Sequence, residues 1–221
     1  MEWMIDTANL QEIREAVEGL PVAGVTTNPS ILKAELPFDY EERLIKIRAL
    51  TPGCSMHVQL GSESCEGMLG EAEYLQELLG KDIYVKVPTT ENGVKAMRLL
   101  KKRGVNVTAT AIYYPLQGML AVSAGADYLA PYCNRMEQNE IDFGRAIAEM
   151  RGMIDRGKYG AKILGASFKN AGQVARAIDS GAHAVTVSPA LLRSVLRSAL
   201  VTDAVAAFTR DYRLVTGEGK D

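Results

Sequence analysis

Lys86 stands inside the run Asp82-Ile83-Tyr84-Val85-Lys86-Val87-Pro88. The β-branched and aromatic residues predict a strand, and the proline marks where its pairing can stop. Strands of an all-parallel sheet are covered on both faces, so a lysine between two valines needs a reason. Two readings are open. On an edge strand, Lys86 would reach water along its methylene stem. Pointing into an apolar pocket, its ammonium would be disfavoured and its pKa would fall by up to ~3–5 units. A neutral amine is a nucleophile whose natural target is a sugar carbonyl, through a Schiff base.

The polar residues that end the other apolar runs bear on that choice. Asp6 ends the first run, and Thr26, Thr27 and Asn28 end the second. Gln59 ends the third, and Thr108 and Thr110 lie in the fifth. Tyr132, Asn134 and Arg135 close the sixth, Ser167 the seventh, and Thr186 and Ser188 the eighth. Singly, each has an ordinary explanation, because threonine is common in strands and a terminal Asp or Asn often caps a helix. Thr27, Thr108 and Ser188 are assigned those ordinary roles. Jointly, the residues would form one ring of hydrogen-bonding groups if the strand ends met at a common mouth. That pattern places Lys86 inside.

Short apolar runs alternate with longer amphipathic ones along the whole chain. The strands are expected at 3–6, 24–27, 55–60, 82–88, 106–112, 128–132, 162–167 and 184–187. Helical patterns fall between them, the first opened by Thr7 as its cap and the sixth running over 141–156. Strands alternating with helices imply βα units and a parallel sheet. Eight strands at roughly 25-residue spacing predict a closed (β/α)8 TIM barrel. A doubly wound open sheet would usually show a Gly-rich first βα turn, which Asp6-Thr7-Ala8-Asn9 is not. No linker or low-complexity stretch divides residues 1–221, so a single domain is expected. It carries an extra C-terminal helix at about 198–212 and a loose polar tail over 213–221.

Composition excludes several classes. The chain has 221 residues, 47% hydrophobic and 24% charged, which suits a soluble globule. A formal net charge of −2 offers no basic field for nucleic acid or anionic membrane. The start Met1-Glu2-Trp3-Met4-Ile5-Asp6 has no basic region of a secretory signal, and no apolar run suits a membrane span. Cys54, Cys65 and Cys133 are scattered and odd in number, which reads as free thiols in the cytoplasm. His57 and His183 are far apart, so no metal site is expected.

Five motifs carry a resemblance across nearly the whole chain. They are Asp6-Thr7-Ala8-Asn9-Leu10, Gly24-Val25-Thr26-Thr27-Asn28-Pro29-Ser30, Val85-Lys86-Val87-Pro88, Ala130-Pro131-Tyr132-Cys133-Asn134-Arg135 and Ala166-Ser167-Phe168-Lys169. In type, order and spacing they resemble the small transaldolase and fructose-6-phosphate aldolase family. The resemblance implies a class I, metal-free and cofactor-free Schiff-base enzyme on a (β/α)8 barrel. It places the imine-forming lysine at Lys86 and the acid that handles the cleaving hydroxyl at Asp6. It places Thr26 and Asn28 on the dihydroxyacetone unit, and Arg135 and Ser167, with Asn134 beside them, on the substrate's sugar-phosphate end.

The family divides at two positions. Its transaldolases carry Glu on strand three and Phe on strand six, whereas the aldolase branch has Gln and Tyr there. This chain has Gln59 and Tyr132. With Thr110 they would surround a water beside the enamine carbon and allow its protonation, which favours aldolase over transaldolase. The Ser188-Pro189 and Ile112-Tyr113-Tyr114-Pro115 segments depart from the family's usual pattern near the mouth. The resemblance also implies a homo-oligomer, a decamer of two rings with the C-terminal helix on a neighbour. Val201, Ala204, Val205 and Phe208 give that helix one apolar side.

Overall fold

A computed structural model describes residues 1–217. Eight parallel strands close into a barrel in sequence order, β1 (Glu2–Asp6), β2 (Val22–Thr26), β3 (Ser55–Gln59), β4 (Tyr84–Pro88), β5 (Asn106–Ile112), β6 (Tyr128–Pro131), β7 (Lys162–Gly165) and β8 (Ala184–Val187). β8 pairs back onto β1 through Glu2↔Ala184 to Ile5↔Val187, so no edge strand remains. Closure removes the reading in which Lys86 lies on an edge, and the open doubly wound sheet with it.

Helices alternate with the strands: α1 (Leu10–Gly19), α2 (Pro29–Ala34), α3 (Tyr40–Leu50), α4 (Cys65–Leu79), α5 (Glu91–Lys102), α6 (Pro115–Ser123), α7 (Cys133–Gln138), α8 (Phe143–Gly157), α9 (Ala171–Asp179), α10 (Pro189–Leu196) and α11 (Ala199–Thr216). The main core lies between the strands' outer faces and the helices, with Val25, Val58, Val85, Val107 and Val185 fully buried there. A second, smaller cluster of Met4, Tyr128, Leu164 and Ala184, with Tyr84 against it, lies apart from the first. Side chains alternate across each strand, so these residues fill the lumen while their neighbours face the helices.

Local chemistry departs from the sequence expectations at several element ends. Asn9, not Thr7, caps α1, its Oδ1 accepting from the Gln11 and Glu12 amides at 3.0 Å each. Thr7 lies too far out and instead donates to Glu12 Oε2 at 2.7 Å. Strand six stops at Pro131, and Tyr132 keeps a single bridge to Ala166. The chain then turns directly into α7, an unforeseen short helix that carries Asn134 and Arg135. Strand seven stops at Gly165, because Ser167 takes a left-handed backbone with φ 61°. α8 starts at Phe143 behind the cap Asp142. α11 continues through residues 213–216, where the sequence predicts a loose tail. No Gly or Pro interrupts it before Gly217, whose φ of 74° supplies the stop. Residues 218–221 of that expected tail lie outside the described residues. Among the described residues, no helix is long and apolar enough to cross a membrane.

Candidate active site

The C-terminal ends of the strands meet around a cavity of about 780 Å³. Such mouths hold the active sites of barrel enzymes, because the βα loops there vary while the strands fix their roots. Asp6, Asn28, Gln59, Lys86, Tyr132, Arg135 and Ser167 all line it. Thr26, Thr110 and Asn134 do not reach its wall. They stand behind it and hold residues that do.

Strand register explains the convergence. Asp6 pairs with Thr26 across β1 and β2, and Gln59 pairs with Lys86 across β3 and β4. Lys86 in turn pairs with Thr108 on β5. The lysine is 5% exposed, and its Nζ donates to the Thr27 carbonyl at 2.8 Å. Thr27 thus contributes a backbone oxygen, for which no residue-type signal exists. Thr26 Oγ1 donates to Asp6 Oδ1 at 2.7 Å and stands 2.7 Å from Thr186 Oγ1, which fixes the carboxylate from below.

Burial controls the charges of this pair. Desolvation lowers the Lys86 pKa, opposed by the attraction of Asp6. Desolvation raises the Asp6 pKa, opposed by Lys86 and by the Thr26 hydrogen bond. Both groups are pushed toward their neutral forms, which are a nucleophilic amine and a carboxyl able to exchange a proton.

Tyr132 accepts a hydrogen bond from Thr110 Oγ1 at 2.9 Å, leaving the phenol's own proton free for the cavity. Burial raises its pKa, with the Thr110 bond and the Arg135 charge acting in the opposite direction. Gln59 Oε1 is buried without a protein partner, an acceptor available to a polar guest. Asn28, after the neighbouring strand β2, spends its side-chain oxygen capping α2, bonded to the Ser30 and Ile31 amides at 3.0 Å each. Its amide nitrogen is left for the cavity.

α7 and the strand-seven loop are locked together. The Cys133 and Asn134 amides donate to the carbonyls of Ala166 and Ser167, both at 2.9 Å. Asn134 Oδ1 accepts from Gln173 Nε2 at 3.1 Å, so its side chain anchors α7 to α9. This holds Arg135 and Ser167 at the same rim. Lys169 lines the cavity beside them. As the last residue of the Ala166-Ser167-Phe168-Lys169 motif it carries no local sign of this role, yet it is a second cation at that rim.

Below Lys86, the lumen is closed by His57, fully buried, with Nδ1 2.8 Å from Thr108 Oγ1 and Nε2 3.1 Å from Ser55 Oγ. Its ring stacks on Tyr84 at 4.6 Å and meets the edge of Tyr128 at 5.2 Å. Tyr128 donates to Glu2 Oε2 at 2.7 Å, and Glu2 pairs with Lys162 at the barrel floor. This aromatic layer separates Lys86 from the floor's carboxylate.

A closed βα barrel with a buried amine and a carboxyl at its C-terminal mouth defines a barrel enzyme of the class I aldolase kind. The profile of the Transaldolase/Fructose-6-phosphate aldolase family matches residues 3–216, and the chain belongs to that family. A protein of Streptococcus pneumoniae (strain ATCC 700669 / Spain 23F-1), named probable fructose-6-phosphate aldolase, is 46% identical over 218 residues, 97% of each chain.

Proposed function

We propose that the protein is a Schiff-base aldolase that cleaves and forms fructose 6-phosphate, with dihydroxyacetone and glyceraldehyde 3-phosphate as the other partners. The observation that carries this is the buried Lys86 amine, desolvated and facing Asp6 in the same cavity as Arg135. Neutral Lys86 adds to the C2 ketone, and loss of water leaves an iminium that draws electrons from the C3–C4 bond. Asp6, directly or through water, takes the C4 hydroxyl proton as that bond breaks. Glyceraldehyde 3-phosphate leaves from Arg135, Ser167 and Lys169, the cations and hydroxyl suited to a phosphate. The enamine left on Lys86 gains a proton at carbon from Tyr132, whose oxygen Thr110 holds, or from water held by Tyr132 and Gln59. Hydrolysis of the iminium then frees dihydroxyacetone. Thr26 orients Asp6, Asn28 receives a substrate hydroxyl, and Asn134 positions Arg135.

Transfer of the dihydroxyacetone unit to a second aldehyde is the other outcome for the same enamine. Tyr132 and Gln59 favour protonation, because a proton donor and an acceptor stand at the enamine's wall. A product assay on fructose 6-phosphate alone separates the two. Free dihydroxyacetone without any acceptor supports the aldolase, and product formation only when an aldehyde is added means a transaldolase. Ketose plus borohydride should leave a covalent mass on Lys86.

α11 buries none of its residues, and Leu200, Val205 and Phe208 are 86%, 56% and 70% exposed. A free apolar helix face of this size favours a homo-oligomer in which α11 lies on a neighbouring copy. Cys54, Cys65 and Cys133 are free thiols, which suits the cytoplasm.

A further inference from the structure

Arg135 stands at the phosphate rim and also over a ring. Its guanidinium carbon lies 5.2 Å from the centroid of the Tyr132 ring. Tyr113 also meets that ring, edge-on at 5.9 Å and 72°. The Tyr132 oxygen already accepts the Thr110 hydrogen bond. Thr110 and Tyr113 hold the phenol, and Arg135 is the charge lying over its ring, with Lys169 a further cation lining the same cavity. Asp6 and Lys86 line the same cavity from β1 and β4, and Tyr113 faces the ring from the loop after β5.

We propose, given the roles assigned above to Lys86, Tyr132 and Arg135, that phosphate on Arg135 switches Tyr132 between poor and competent proton donor, and so selects the fate of the enamine. The physical reason is charge. A bare guanidinium over the ring stabilises a phenolate more than a phenol, because the ionised ring carries more π density. A phosphate on Arg135 brings about −1.5 to −2 charges and reverses that local field. While a phosphorylated aldehyde is seated, Tyr132 holds its proton and the enamine is kept for carbon–carbon bond formation. Once the aldehyde leaves, the field of Arg135 returns. The Tyr132 O–H bond breaks, a C–H bond forms at the enamine carbon, and the nitrogen lone pair regenerates the iminium. Water then returns a proton to the phenolate.

The test is deuterium incorporation from D2O into dihydroxyacetone, which requires the enamine but no phosphorylated partner. Inorganic phosphate is titrated in against chloride of equal ionic strength, with wild type, Arg135→Lys, Arg135→Gln, Tyr132→Phe and Lys86→Met. Exchange begins when the iminium's C–H proton passes to the Tyr132 phenolate, so phosphate should lower wild-type exchange saturably, by roughly three- to tenfold, and move the acid limb of its pH profile to higher pH. Arg135→Gln should start slow and ignore phosphate, Arg135→Lys should keep part of the response, and Tyr132→Phe should lose it. Exchange that phosphate leaves unchanged, or that chloride lowers equally, overturns the switch while leaving the imine chemistry standing. Exchange that survives Lys86→Met overturns the underlying chemistry as well.

Discussion

On the proposed mechanism, Lys86 owes its reactivity to what surrounds it rather than to what it is. Its amine loses hydration, gains one backbone carbonyl and faces a carboxyl that burial has also pushed toward neutrality. On the same proposal, Tyr132 is the neighbouring residue whose chemistry decides the product. Replacing it with Phe removes the phenol while keeping the ring against Arg135 and Tyr113. Tyr132→Phe should lower fructose 6-phosphate cleavage on the order of 10²-fold and raise the ratio of transfer to cleavage. Product ratios with and without an added aldehyde measure this. An unchanged ratio removes Tyr132 from the proton path. Asp6, Gln59 and Arg135 were legible as candidates from residue type at strand ends. Thr27's carbonyl and the positioning roles of Thr26 and Asn134 were not, because hydrogen-bond partners are set by packing rather than by local sequence.

At the scale of elements, β4 carries Lys86 and α5 must lie close on its end. Gly93 makes that approach possible: a Cβ there would fall 1.8 Å from the Pro88 carbonyl oxygen. Gly93→Ala forces either the helix or the strand end to move. It should cost about 1–3 kcal/mol and lower Tm by roughly 5 °C, and calorimetry checks it. A melting point equal to wild type would show that α5 has slack. α11 is the opposite case, an element that buries nothing against its own barrel. Val205→Asp with Phe208→Asp should leave the barrel folded and shift the protein toward monomers in sedimentation or light scattering. A wild-type mass for that variant excludes α11 as the contact. Helix and strand order could be read from hydrophobic rhythm. α7 escaped because a short helix begun directly after a strand has no room for a periodic pattern.

The whole molecule stores an acid sensitivity inside its lumen. Burial, followed by the charge of Lys86, pushes the His57 pKa down to about 3, against 6.5 for a free imidazole. The folded barrel therefore binds no proton there at pH values where the unfolded chain does. The stability contributed by keeping His57 neutral is complete above pH 6.5 and is lost as pH falls toward 3, by up to about 1.4 kcal/mol per pH unit. His57→Phe should flatten the fall in stability between pH 6.5 and 4.5, measured by urea unfolding at each pH. Parallel curves for the two proteins would assign the acid sensitivity to other groups. Lys86 acts in the same sense in a more alkaline window: its lowered pKa lets the barrel gain stability as pH rises toward the ordinary lysine range.

The linear chain by itself determined the alternation of strands and helices, the polar strand ends and a lysine where a buried strand should be apolar. These follow from side-chain pattern and residue type, which are local. Only the closed barrel decided that Lys86 points inward, that Arg135 lies over Tyr132, and that His57 shields the amine from the floor. Those are relations between strands far apart in the chain, set by register and closure, and no local pattern encodes a distance across a lumen.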